Sequence, residues 1–161
     1  MITQQILNDF FTYENGKLFW KTKPSKTSPI KIGDEAGTVM NDGYKRTHFF
    51  KKYYAIHRLV FLMKNGYLPK YIDHIDGNRL NNCIENLREA TASQNGQNKK
   101  LPKNNKSGIK GVHLNKANKW VAQLKIDRKV TYLGSFDDIK LAENAVKEAR
   151  SKNHGVFCKH F

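Results

Sequence analysis

Asp73 and His74 stand side by side, followed by the turn-forming run Asp76-Gly77-Asn78 and then by Asn82, Asn86 and Asn95. Hydrolysis of a phosphodiester needs a base to deprotonate water, a hard cation to neutralise the departing oxygen, and oxygen ligands to hold that cation. His74 suits the base, because an imidazole titrates near neutrality. Asp73 and Asn95 offer one charged and one neutral oxygen, a set that suits Mg²⁺, or a similar divalent ion such as Mn²⁺, with several waters retained. In isolation, Asp-His ahead of Asp-Gly-Asn reads as an ordinary polar β-turn. Its joint spacing with Asn86, the capping box Thr91-Ala92-Ser93-Gln94 and Asn95 turns the reading towards a hydrolytic site. A calcium loop is excluded, since Ile75 occupies a position that must supply oxygen.

Such residues must be carried by elements that bring them together. Tyr71 to Ile75 is predicted as a short strand ending in the Asp76-Gly77-Asn78 turn, and the end of Ile84 to Ala90 as a returning strand. Thr91, with Gln94 three residues on, opens a helix whose first turn holds Asn95. Strand, strand and helix in so short a span can gather Asp73, His74 and Asn95. Upstream, the chain reads as an apolar start at Ile6 to Phe11, a strand at Lys17 to Trp20, and a hairpin over Thr38 to Phe50 broken at Asn41-Asp42-Gly43. Ile56 to Lys64 has apolar residues at helical spacing and stops at Gly66. His57, on the rim of that helix, reads equally as a structural histidine or a phosphate contact.

Beyond Gln97 the pattern changes. Gln97 to Gly108 is rich in Lys, Asn and Pro without periodicity and reads as a linker, solvated or crossing DNA phosphates through Lys99, Lys100, Lys103 and Lys106. Trp120, Ala122, Leu124 and Ile126 alternate with more polar positions, so one strand face is apolar and Trp120 belongs to the core. Ile139, Ala142, Ala145, Val146 and Ala149 trace one helix face, with acids at its start and Lys147 and Arg150 near its end. Strands followed by one helix predict a three-stranded sheet covered on one side only.

The charge balance names the partner class. Among 161 residues there are 29 Lys and Arg against 14 Asp and Glu, a formal net charge of +15. Such an excess implies a polyanion. From Gln97 onward 15 basic residues face 5 acidic ones, so this region is the stronger anchor. No stretch reaches the length of a membrane span, no basic amphipathic helix or lipidation signal is seen, and the start lacks the pattern of a signal peptide. Cys83 and Cys158 form no metal-type pair. An intracellular, cytoplasmic setting is expected, with no membrane partner and no small-molecule cofactor; oligomeric state carries no signal. RNA is the weaker partner, because no aromatic pair lies on the exposed face of the C-terminal strands.

Asp73-His74-Ile75-Asp76-Gly77-Asn78, Asn82, Asn86-Leu87 and Thr91 to Asn95 together resemble the HNH endonuclease motif, in the form found in phage and intron homing endonucleases. His57-Arg58-Leu59-Val60 resembles the helix that precedes the motif there. The resemblance implies a ββα-metal core in which His74 is the general base, Asp73 and Asn95 bind the metal, and Asn86 braces the loop that orients the base. Asn95 stands where the family name has a histidine, and the zinc-binding cysteine pairs of some members are missing.

A second resemblance covers Ser107 to Phe161. Gly108 to His113, Lys119 to Ala122, Tyr132 to Phe136 and the alanine-bearing helix are similar to the apetala-type, ethylene-response-like DNA-binding domain. It implies a sheet laid in the major groove, with Lys110, His113, Asn115, Lys119, Gln123, Lys125 and Tyr132 facing DNA. Several family arginines are here Lys, His or Asn, and a family tryptophan position is Ala117, so base preference does not transfer.

The sequence thus predicts an α+β protein. Residues 1–96 form a β-rich segment and HNH core, 97–106 a basic linker, and 107–161 a sheet-plus-helix DNA-binding domain. The expected function is metal-dependent cleavage of double-stranded DNA in the host cell of a phage. The rival is a non-cleaving DNA-binding regulator on an HNH-like scaffold.

Overall fold

The computed structural model describes residues 2–98, 101, 104–126 and 129–154. Among these, four α-helices and four small antiparallel sheets make a mixed α+β architecture. The chain divides into two compact units, Met1–Ala90 and Thr91–Phe161.

The first unit opens with a short helix, α1 (Gln4–Phe10), capped by Thr3, whose hydroxyl accepts from the Ile6 amide at 3.3 Å. The apolar start of the sequence is thus helical, and it buries Leu7 completely. Strands β1 (Phe11–Glu14) and β2 (Lys17–Trp20) pair through Asn15-Gly16, both at positive φ, the turn geometry that matches strand twist. Glycine is needed there for a second reason: a Cβ on Gly16 would lie 2.7 Å from the Cys83 backbone nitrogen. The next sheet runs β3 (Thr38–Val39), β4 (Lys45–Phe49), β5 (Lys52–Ala55). Helix α2 (Ile56–Asn65) follows at once, and Gly66 ends it in the left-handed conformation, its N–H bonding the Leu62 carbonyl at 2.9 Å.

Ile56, Leu59 and Val60 of α2 share one buried cluster with an aromatic group drawn from two sheets. The Phe11 and Trp20 rings lie 4.5 Å apart, and Phe49 stands 5.2 and 5.8 Å from them. Burying each such side chain contributes about 1.5–3 kcal/mol. The last two strands of the unit, β6 (Tyr71–His74) and β7 (Leu87–Ala90), pair antiparallel and place Ile72 and Leu87 in the same cluster. That anchors the pair that carries the chemistry.

The second unit begins with α3 (Ala92–Gln97), then β8 (Val112–Leu114), β9 (Trp120–Ile126), β10 (Lys129–Phe136) and α4 (Ile139–His154). The sheet order is β10-β9-β8, all antiparallel. Alternation along β9 is as expected: Ala122 and Leu124 are buried and Lys125 is exposed. Ala142 and Val146 of α4 bury against Val112 and Ala122, and Trp120 packs on the same cluster. Gly111 admits no side chain, since a Cβ would meet the Gln123 carbonyl oxygen at 2.4 Å. Among the described residues no helix is long and apolar enough to cross a membrane.

Candidate active site and nucleic-acid interface

All of Ile72, Asp73 and His74 are buried, so β6 is covered on both faces. A buried charge needs a partner, and β7 supplies one directly opposite: Asp73 pairs in register with Arg88. The Arg88 guanidinium donates to Asp73 Oδ2 through Nε at 2.9 Å and Nη2 at 2.8 Å.

After His74 the chain turns sharply, with the Gly77 N–H on the His74 carbonyl at 2.8 Å and Gly77 at φ 71°. Asn86 holds this loop from inside. Its Oδ1 accepts from the Asp76 N–H at 3.0 Å, and its Nδ2 donates to Asp76 Oδ1 at 2.9 Å and to the Asn81 carbonyl at 2.8 Å. Burial alone would raise the Asp76 carboxyl, but the Asn81 side chain, the Asn78 N–H and Asn86 outweigh it and hold it below the usual carboxylate range.

Asn82, also buried, fixes the tautomer of His74. Its Nδ2 donates to the Leu80 carbonyl at 3.3 Å, so its Oδ1 is the atom that meets His74 Nε2 at 3.1 Å. An imidazole that donates to this oxygen carries its proton on Nε2 when neutral. Burial pushes the His74 pKa down, against the Asn82 hydrogen bond and the Asp76 and Asp73 charges, which pull it up.

A second histidine lies beside it. The His57 ring, on the first turn of α2, stands 5.1 Å edge-on from His74, and Tyr44 lies 5.2 Å from His57 and 6.1 Å from His74. Burial first, then the nearby His74, Arg58 and Arg46 charges, drive His57 down to about 3. It is neutral at any ordinary pH. The Arg79 guanidinium lies over the Tyr44 ring, 4.8 Å from its centre.

Residues 54–97 match the HNH endonuclease family model, a span that holds His57, Asp73, His74, Asn82, Asn86 and Asn95. The chain is 35% identical over 116 residues to Protein 3.8 of Escherichia phage T7, covering 68% of this chain and 95% of that protein. It shares one family with Protein 3.8 and carries an HNH endonuclease domain. A protein of Acanthamoeba polyphaga mimivirus, described as an uncharacterized HNH endonuclease, is 43% identical over 63 residues, 37% of this chain and 33% of that protein. The chain thus spans about a third of the mimivirus protein's length. No solved structure matches. The HNH domain and its viral homologue support a nuclease, a hydrolase.

Within the HNH domain Asp73 and His74 stand side by side on β6, and Asn86 holds the loop that follows them. Asn95 falls in α3, one turn inside the Thr91 cap, where both halves of the capping box are formed. It belongs to the second compact unit. Among the described residues no group of three His, Cys, Asp or Glu side chains stands ready for a metal.

In the second unit, pairing His113 with Val121 and Gln123 with Tyr132 puts these residues on the sheet face opposite α4, with Lys125 two positions from Gln123 on the same face. Tyr132 is 64% exposed. Asn115 holds a turn: its Oδ1 accepts from the Ala117 and Lys119 amides, each at 3.0 Å. Lys119 pairs with Asp137 at 3.2 Å, and Lys110 lends its carbonyl to the buried Arg150. Lys99, Lys100, Lys103, Cys158 and His160 lie outside the described residues.

Sequence reasoning gave no role to Asn82, Arg88, Tyr44 or Arg79. Asn82 was visible as part of the motif. The others are visible only once β6 and β7 are in register and the β3–β4 turn lies against the β6–β7 loop.

Proposed function

We propose that the chain is a divalent-metal-dependent endonuclease of the homing type that hydrolyses phosphodiester bonds in double-stranded DNA. The observation that carries this reading is the buried Asn82–His74 hydrogen bond, which fits an imidazole donating through Nε2, with Nδ1 proposed as the base. His74 takes a proton from water through Nδ1, and that water attacks the phosphorus in line. The bond to the 3′ oxygen breaks and a 5′ phosphate remains.

The donor chemistry fits a hard cation: Asp73 offers a carboxylate and Asn95 an amide oxygen. These two residues would hold Mg²⁺ or Mn²⁺, which when bound neutralises charge on the scissile phosphate and the departing oxygen. Arg88 keeps the carboxylate oriented in the β6–β7 ladder, and Asn86 keeps the loop after His74 closed.

The second unit is proposed as the DNA anchor, in the manner of an apetala-type domain. The sheet face bearing His113, Gln123, Lys125 and Tyr132 supports this, as does the positive balance of the region. A phage relative supports action inside an infected cell.

Supercoiled plasmid, incubated with the full chain with and without Mg²⁺, tests the reading. The parent should nick or linearise it only with the cation. His74→Ala should do neither while binding the DNA with nearly parental affinity. Asp73→Ala should lose more activity than Asn95→Ala, because only Asp73 brings negative charge to the cation. Cleavage indifferent to chelator, or surviving in His74→Ala, would remove this mechanism.

A further inference from the structure

The loop between β6 and β7 contains a cation that the mechanism above does not use. Arg79 is exposed, yet its guanidinium is held by the turn of the β3–β4 hairpin. Its Cδ passes Gly43 closely enough that a Cβ there would lie 3.7 Å from it. Its guanidinium lies over the Tyr44 ring at 4.8 Å, and Nη1 donates to the Asp42 carbonyl at 2.6 Å. None of these contacts neutralises its charge. The neighbouring Asp42 carboxylate is occupied by Arg46, at 2.6 and 3.1 Å. Among the described residues Arg79 enters no ion pair, and only one of its five N–H donors is engaged by the protein.

An exposed arginine normally loses much rotamer freedom when fixed, so a fixed one without a carboxylate partner is prepared for an outside anion. Its place defines that anion. The Tyr44 ring lies beside Arg79 and beside both His57 and His74, so the guanidinium stands one aromatic ring away from the base, and its charge acts on His74. We propose that Arg79 is a catalytic residue that donates to the non-bridging oxygens of the scissile phosphate, with Tyr44 as the platform that positions it. The planar fork matches two phosphate oxygens, and charge on them grows as water attacks, so the contact strengthens towards the transition state.

This role rests on the nuclease reading of the His74 site, and the test separates the two. The full chain and its Arg79→Ala, Arg79→Lys and Tyr44→Ala variants are compared for single-turnover cleavage at saturating duplex DNA. DNA affinity is measured by anisotropy in a His74→Ala background without metal. Arg79→Ala should cut on the order of 10²–10³-fold more slowly, as when one preorganised donor to a transition-state oxyanion is removed. Affinity should change by less than about threefold. Arg79→Lys should recover part of the rate, and Tyr44→Ala should lose roughly tenfold, because the charge stays but its position is loosened. Added guanidinium ion should restore activity to Arg79→Ala, whereas sodium chloride of equal ionic strength should not. A purely structural role would not give that rescue.

Cleavage by Arg79→Ala within about threefold of the parent, a loss confined to affinity, or no guanidinium rescue would overturn the role. If Arg79→Ala fails to fold by circular dichroism, parental cleavage by Arg79→Lys overturns it instead. A parent chain that cuts no DNA overturns the nuclease reading itself.

Discussion

Replacing Arg88 with Met should destabilise the first unit by about 3 kcal/mol. The reasoning starts from Asp73, which is 3% exposed, and from its partner, whose side chain is 18% exposed. At 2.8 Å and an effective dielectric constant of about 20, the gross attraction is about 6 kcal/mol. Most of that offsets the cost of taking both ions out of water, so the intact pair contributes little net stability. Removing one member is different, because the desolvation cost of the other remains. Breaking a buried pair by removing one member typically costs about 3–5 kcal/mol, and the partial exposure of Arg88 puts this pair at the low end. Met keeps most of the buried stem, so the loss reports charge rather than packing. Urea unfolding of the parent, Arg88→Met, Asp73→Asn and the double variant forms a cycle. The double variant should recover most of the loss, since both members of the pair are then neutral, and the coupling should be about 2–3 kcal/mol. Arg88→Met within about 0.5 kcal/mol of the parent, or simple additivity in the cycle, would refute the idea that the ladder pair neutralises Asp73.

Asn82→Ala should lower cleavage by about 10–100-fold with the fold intact, because the His74 ring loses the partner that sets its tautomer; Asn82→Asp, which keeps an acceptor, should retain more, as single-turnover rates would show. Stability should fall on acidification. His57 folds with its pKa depressed to about 3 from 6.5, so below the unfolded value the unfolded chain binds a proton that the folded one refuses. By about pH 5 the loss from this group should reach about 2 kcal/mol, growing until the folded pKa is passed, and His57→Gln should flatten that part of a urea-derived stability profile. In the second unit, Lys125→Ala should weaken duplex binding by about 1–3 kcal/mol where it meets a base edge. If Lys125 meets a phosphate instead, the log–log salt slope should fall by roughly one unit, and an unchanged affinity and slope would take the residue off the interface.

Much of the scaffold is local in origin and was therefore legible along the chain. The apolar spacing of Ile56, Leu59 and Val60 with Gly66 behind it dictates α2 and its end, because helix period and the left-handed cap are properties of neighbouring residues. Thr91 and Gln94 form their capping box within four residues. The alternation through Ala122 and Leu124 sets the buried face of β9 in the same way. The cluster of Asp73, His74, Asn82 and Asn86 was legible too, since one strand and one loop contain it.

What tertiary structure alone decided are the partners that lie far along the chain. Arg88 faces Asp73 only because the β6–β7 register puts them opposite each other, and a slip of one residue would turn Arg88 to the other face. That the Asn115 oxygen caps its own turn, accepting from the Ala117 and Lys119 amides, follows from the conformation of the β8–β9 connection. His57 could be read as structural or phosphate-binding because a helix period says which face is buried, not what lies across it. That it meets His74, and that Tyr44 joins both to Arg79, depends on packing α2, the β3–β4 turn and the β6–β7 loop against one another. Charge and periodicity determine the elements and the class of partner. The convergence of distant side chains on His74 is a property of the packed core, which no short stretch of sequence contains.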